Sequence, residues 1–271
     1  EAWMGAPAFR RTEAGVEFPT YSDVFEGADS DQVHQDQCLA TFADLGLGLD
    51  HPLVLADGVA TVGDALDAAV RRSHLRQSDL EWTAMAFAAY LPPERSWVNR
   101  FGQTLDFDAL SSALLDRPWT EASCGCVHRL AALRAIRDAD ERTPLLGARV
   151  RERLHSTLAG LVELAEQTQH ADGSWSFDWC SVLSPAEDWD PLRQRDSDTL
   201  RTLVTGHLAE YFLRGRAEEQ PSAAHLDRAA AWLGEHLAET DEVDRWQRLC
   251  PLTHARIVVA ARAGVASDAG G

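Results

Sequence analysis

The sequence has no uninterrupted apolar stretch of the ~18–20 residues that a membrane-spanning helix requires, and no signal-peptide-like apolar segment opens it. Basic side chains are also scarce. Lys and Arg number 25 against 43 Asp and Glu, for a net charge of −18, and the basic runs are no longer than Arg10-Arg11 and Arg71-Arg72. A surface that grips phosphates needs an excess of cations to displace counterions, so nucleic acid and anionic membranes are excluded as expected partners. Cysteines number five, an odd count that does not suggest a disulfide framework in a chain of 271 residues. Cys38, Cys124, Cys126, Cys180 and Cys250 are expected to be reduced thiols in a cytoplasmic protein, with processing upstream of Glu1 left open.

Sustained alternation of apolar and polar residues is nearly absent, whereas apolar residues recur at helical spacing in many segments. Segments at about 60–76, 106–116, 147–169 and 222–238 carry a charged face and predict helices with one side in water. Segments at about 31–45, 81–91, 124–137, 200–213 and 250–263 are small and apolar, with polar residues near their starts, and predict helices buried on most sides. The two kinds alternate along the chain. The polar residues His34, Trp82, His128, His207 and His254 open the second kind at gaps of 48, 46, 79 and 47 residues. A period near 47 fits a helical-hairpin repeat. The long gap is filled by an insertion, 170–200, rich in Asp, Ser, Trp and Pro.

The fold expected is therefore all-α: an α/α toroid of about five helical hairpins, with inner and outer rings. It forms one domain over 1–271, with 1–30 as an N-terminal extension and 170–200 as a loop over the mouth. An open α-solenoid shares the period and is the structural alternative.

Several short motifs sharpen this. Gln169-His-Ala-Asp-Gly173-Ser-Trp175 follows the long 147–169 segment and has the form Q-x3-G-x-W. Asp172-Gly-Ser-Trp175 is followed by Thr205-Gly206-His207-Leu-Ala-Glu210. Arg95-Ser-Trp97-Val-Asn99-Arg100-Phe101-Gly102, Ser123-Cys124-Gly125-Cys126-Val-His128 and Cys250-Pro251-Leu-Thr-His254 complete the set. Together these resemble an uncharacterised bacterial family related to the prenyltransferase and squalene–hopene cyclase repeat. The resemblance covers most of the chain beyond about residue 30 and implies the α/α toroid. In that superfamily the Gln and Trp of the Q-x3-G-x-W motif brace outer helices.

The spacing C-x3-H occurs twice, at Cys124/His128 and Cys250/His254, and in reverse at His34/Cys38. Residues four apart share a helix face, and thiolates with imidazoles are the ligands a borderline-soft ion such as zinc selects. Cys124, His128, Cys250 and His254 are the candidate metal ligands; packing as small core residues is the competing reading. Glu81, His207 and Glu210 are candidates for proton transfer. Asp178 stands in an Asp178-Trp-Cys180 sequence that resembles the zinc motif of protein prenyltransferases. Asp196-Ser-Asp198-Thr199 resembles the acid motif of class II terpene cyclases with one aspartate missing, making Asp198 a candidate acid. Trp175 and Trp179 are candidate lid residues, and Arg95, Arg100 and Arg129 could hold a diphosphate.

The function expected is an enzyme with its site at a mouth formed by inner-helix N-termini. Its chemistry would be terpene-cyclase-like or prenyltransferase-like, with zinc as the candidate cofactor, on a small hydrophobic or peptide substrate. A non-catalytic helical-repeat binding or scaffold protein is the alternative.

Overall fold

A computed structural model describes residues 9–13, 15–18, 34–93, 96–183, 198–238 and 249–268. Among these the chain is mostly helical. Nine helices follow in order: α1 (Gln37–Asp44), α2 (Val62–Arg72), α3 (Leu80–Tyr90), α4 (Phe107–Asp116), α5 (Val127–Arg142), α6 (Ala148–Thr168), α7 (Asp198–Leu213), α8 (Ala223–Ala238) and α9 (Leu249–Asp268). Three antiparallel hairpins accompany them: β1 (Arg10–Thr12) with β2 (Gly15–Glu17), β3 (Pro52–Leu55) with β4 (Gly58–Thr61), and β5 (Trp97–Val98) with β6 (Thr104–Leu105). These strands were not expected in an all-α chain. They are two to four residues long, too short for alternation to stand out from a helical background.

The chain divides into two compact units. The first is Glu1–Asp116 with Ala131–Leu154, and the second is Arg117–Leu130 with His155–Gly271.

In the first unit, α2 starts at a capping box. The Thr61 hydroxyl accepts from the Asp64 amide at 3.1 Å, and the Asp64 carboxylate accepts from the Thr61 amide at 2.8 Å. Arg71 and Arg72 in the last turn oppose the negative helix end. Val62, Ala65, Leu66, Ala68 and Ala69 are buried. α3 is buried nearly all round, through Leu80, Thr83, Ala84, Ala86, Phe87 and Ala88, and ends just before Pro92-Pro93. α1 packs against it. Phe87, Trp97 and Phe107 meet edge to face at 5.2 and 5.7 Å, tying β5 and α4 into the same core.

Polar residues fix the chain between these elements. Arg72 donates to Glu17 at 2.8 Å and to Asp36, which also accepts from the Thr83 hydroxyl. Asp140 accepts from the amides of Leu145 and Leu146 and from Arg151. Burial pushes Asp140 up, but the Arg151 hydrogen bond, the two amides and the Arg151 charge together outweigh it. They hold its carboxyl at about 2.

In the second unit, α9 packs against α7 and α8, which also touch each other. α7 is buried on most sides, including Val204, Thr205, Leu208, Ala209 and Phe212. Gly206 is the reason α9 can lie so close: a Cβ there would meet the Ala255 nitrogen at 3.0 Å and the His254 Cβ at 3.1 Å.

Residues of the Q-x3-G-x-W motif brace this unit. Gln169, just past the end of α6, donates to the carbonyls of Gly173 and of His225 in α8, both at 2.9 Å, and accepts from Arg228 at 2.6 Å. Trp175 is fully buried and donates to the Ala165 carbonyl at 2.7 Å, while its own amide donates to Thr205. Trp179 is likewise buried and donates to the Gly125 carbonyl at 2.7 Å. Both tryptophans are packing residues of the unit, not a lid, because each indole N–H is committed to a buried backbone carbonyl. Of the 170–200 insertion, 184–197 lies outside the described residues, as does most of the 1–30 extension.

Candidate functional site

A left-handed residue stands immediately before three of the helices read as buried. Asp36 precedes α1 (φ 61°), Asp79 precedes α3 (φ 53°) and Cys126 precedes α5 (φ 72°). Such a conformation costs a non-glycine residue about 1–2 kcal/mol, so its recurrence marks a repeated local design. Two residues before it stand His34, Gln77 and Cys124; two after it stand Cys38, Glu81 and His128. The C-x3-H spacing of Cys124 and His128 is thus one instance of a position pair that recurs along the chain.

In the first unit, Glu81 is the second residue of α3 and is buried. The Nδ1 of His34 donates to the Asp79 carboxylate at 2.9 Å, and its ring stacks on Trp82 with centres 5.8 Å apart.

In the second unit, candidates from three helices come together. The His128 and His207 ring centres are 5.7 Å apart, and those of His207 and His254 are 3.6 Å apart. His207 lies in the middle of α7, and its Nδ1 meets the Leu203 carbonyl at 2.9 Å. A carbonyl only accepts, so Nδ1 carries a proton. The Nδ1 of His254 donates to Glu210, which also accepts from Arg214 at 2.7 Å. Burial pushes Glu210 up. The hydrogen bond from His254 and the attraction of His254, Arg214 and His207 outweigh it and hold the carboxyl below the usual range. The result is an ionised, buried carboxylate that sets the tautomer and orientation of an imidazole.

Cys124 and His128 offer a sulfur and a ring nitrogen within 4.8 Å of each other. Around a tetrahedral zinc, with bonds of about 2.3 and 2.05 Å, a sulfur and a nitrogen ligand lie about 3.6 Å apart. This pair therefore fits half of a coordination set with a small adjustment. His207 and His254 each direct Nδ1 to an oxygen acceptor, which is how metal-binding histidines present Nε2. Cys250 lies in the first turn of α9, one turn before His254, and its side chain is outside the described residues.

Two other candidates stand apart. Asp198 is exposed at the first position of α7, and nine residues of helix, about 13 Å, separate it from His207; Asp196 is outside the described residues. Asp178 is half-buried, next to Trp179 and Cys180. Of the arginines considered for a diphosphate, Arg129 is almost fully buried. It donates to the carbonyls of Arg117 and Pro118 at 3.0 and 2.9 Å and lies over the Trp119 ring, so its cation is committed to the fold. Arg100 lies over the Phe101 ring at 5.0 Å, and Arg95 is outside the described residues.

The expectation of reduced thiols is corrected at one pair: Cys126 and Cys180 are joined in a disulfide across 54 residues. No spacing rule reports a pairing at that separation. The Q-x3-G-x-W and Asp178-Trp-Cys180 motifs drew attention to this turn, but not to its partner.

No protein family, curated protein or solved structure matches the chain.

Proposed function

We propose that this chain is an enzyme of the α/α-toroid type, acting on a small hydrophobic or peptide substrate, with its reaction centre at Glu210, His254, His207 and His128. The chemistry is of the cyclase or transferase kind, built on proton transfer. One observation carries the reading. Two neighbouring imidazoles, 3.6 Å apart between ring centres, have Nδ1 committed to oxygen acceptors, and one of those acceptors is an ionised buried carboxylate. Glu210 is the positioning residue. It holds His254 with its lone pair on Nε2 and stabilises the imidazolium formed when that nitrogen takes a proton. His207 is the second imidazole of the centre.

Cys124 and His128 fit a zinc ion in donor chemistry and separation, with His254 and Cys250 completing the set in this reading. Bound zinc would supply a Lewis acid. The toroid is supported by the repeated left-handed turn before α1, α3 and α5 and by the alternation of one-sided and buried helices.

The test is transition-metal content by plasma mass spectrometry on untagged protein purified under reducing conditions, for wild type, Cys124→Ala and His254→Ala. About one zinc per chain, lost in both variants, is the expected result. Absence of metal from the wild type removes zinc from the reading. If Glu210→Gln then also leaves ligand binding and stability unchanged, the helical-repeat binding protein takes the enzyme's place.

A further inference from the structure

β3 and β4 pair in the register Pro52↔Thr61, Leu53↔Ala60, Val54↔Val59 and Leu55↔Gly58, closed by Ala56 and Asp57. In an antiparallel pair, opposed residues exchange hydrogen bonds at every second position, and those between turn their N–H and C=O groups away from the partner strand. The Val62 amide donates to the His51 carbonyl at 3.1 Å, so the bonded positions are His51/Val62, Leu53/Ala60 and Leu55/Gly58. Val54 and Val59 therefore direct their backbone polar groups outward, to the two edges of the hairpin.

The two edges differ. On β4, the Arg11 guanidinium donates to the Val59 carbonyl at 3.1 Å and lies 3.4 Å from Asp57, and the Thr61 amide is taken by the Asp64 carboxylate of the capping box. On β3, no hydrogen bond reaches the Val54 amide or carbonyl among the described residues. Val54 and Val59 stand directly opposite each other and so share a face, where each is 63% exposed. Leu53, Leu55 and Ala60, on the other face, are buried. The hairpin thus has one face in the core, one apolar face in water and one open edge. Charge and proline are the usual means of blunting such an edge. Here Pro52 blunts only the first position, and 53–56 carry no charge.

We infer that the β3 edge docks a second copy of this chain, antiparallel, about a two-fold axis at Val54. Each Val54 then exchanges both backbone hydrogen bonds with Val54 of the other copy, and each Ala56 amide donates to the other copy's Pro52 carbonyl. In the sheet so formed, of order β4-β3-β3-β4, Val59, Val54, Val54 and Val59 stand in one row at about 4.8 Å spacing, which covers the exposed apolar face. The chain is self-complementary about this axis. His51 and Asp57 lie three residues either side of Val54, so each imidazole faces the other copy's carboxylate, and an imidazole offers an N–H donor in either protonation state. Moving the axis to Leu53 puts His51 opposite Leu55, and moving it to Leu55 puts Asp57 opposite Leu53, so both pairs are lost. A foreign peptide has no need of this symmetry. Because the β4 edge is occupied, pairing closes at two copies. An edge of four residues makes a small interface, so association is weak and concentration-dependent. The pairing uses residues of the first unit alone and stands apart from the proposed reaction centre.

The experiment has two readouts on the full chain, in about 0.15 M salt to screen the net charge of −18. Sedimentation equilibrium follows the average mass between about 1 µM and 1 mM. The wild type is expected to move from monomer towards dimer and no further. Val54→Lys, which sets two like charges against each other at the axis, is expected to stay monomeric. His51→Asp should weaken the dimer roughly tenfold, and His51→Asp with Asp57→His should restore it, with far-ultraviolet circular dichroism checking that each variant is folded. Separately, amide hydrogen exchange on the wild type should slow with rising concentration in peptides covering Val54 and Ala56. A wild type that is monomeric throughout, a dimer that folded Val54→Lys leaves intact, or a double variant no stronger than His51→Asp overturns the inference. Should the variants not fold, the exchange measurement decides alone, and protection at Val54 that does not change with concentration overturns it.

Discussion

The Nδ1 of His254 in α9 donates to the carboxylate of Glu210 in α7, and the His254 ring also lies against His207, one turn earlier on α7. One buried anion thus faces two imidazoles and the Arg214 guanidinium, with the approach of the two helices set by Gly206.

Glu210→Gln keeps an acceptor for His254 but removes the charge. A loss of about 1–3 kcal/mol is expected at pH 7. Because the folded carboxyl titrates below its usual range, its contribution is complete above the unfolded value of about 4.3 and disappears as the pH falls. Urea midpoints for the two proteins are therefore expected to converge on going from pH 7 to pH 3. A gap that stays constant over that range would show that the charge contributes nothing.

Asp140 gives a second acid-side effect, in the first unit. Its carboxyl is held at about 2, against an ordinary value of 3.8, which corresponds to about 2 kcal/mol of stability at neutral pH. That stability is present above about pH 4 and is lost as the pH falls through 2. Asp140→Asn should remove about 2 kcal/mol at pH 7 and almost nothing at pH 2, as measured by chemical denaturation at both pH values.

Gly173→Ala tests the brace between α6 and α8. Gly173 has φ 99°, and an added Cβ would lie 2.4 Å from the Arg228 carbonyl oxygen. The alanine meets backbone that cannot move aside as a side chain can, so a loss of about 2–4 kcal/mol is expected. Gln169→Ala deletes donors to two carbonyls and leaves Arg228 without this acceptor, and should cost about 1–3 kcal/mol. A near-neutral Gly173→Ala in thermal unfolding would contradict this packing.

The Cys126–Cys180 disulfide closes a loop of 54 residues. On chain-entropy grounds, opening it with both cysteines reduced is expected to cost up to about 4 kcal/mol. Melting temperatures of Cys180→Ser and wild type, compared with and without reductant, check this. The two proteins should differ strongly in oxidising buffer and converge in reducing buffer.

The sequence by itself determined where the helices lie. The segments read at about 81–91, 106–116, 147–169 and 222–238 became Leu80–Tyr90, Phe107–Asp116, Ala148–Thr168 and Ala223–Ala238. Helical periodicity, the Thr61 cap and Pro92-Pro93 are local signals, and helix formation follows local spacing. The hairpin at 52–61 had its own local signal, Asp57-Gly58 between apolar runs, but was masked by the helical pattern on either side. The histidines and Glu210 were legible as candidates by residue type.

Tertiary structure decided the rest. It chose Glu210 as the partner of His254, joined Cys126 to Cys180, committed Arg129 to backbone carbonyls, and buried Trp175 and Trp179. Each of those outcomes depends on which atoms lie within about 3–4 Å after packing. Distances between residues 40 to 55 positions apart are set by the packing of whole helices, which residue type and spacing do not encode.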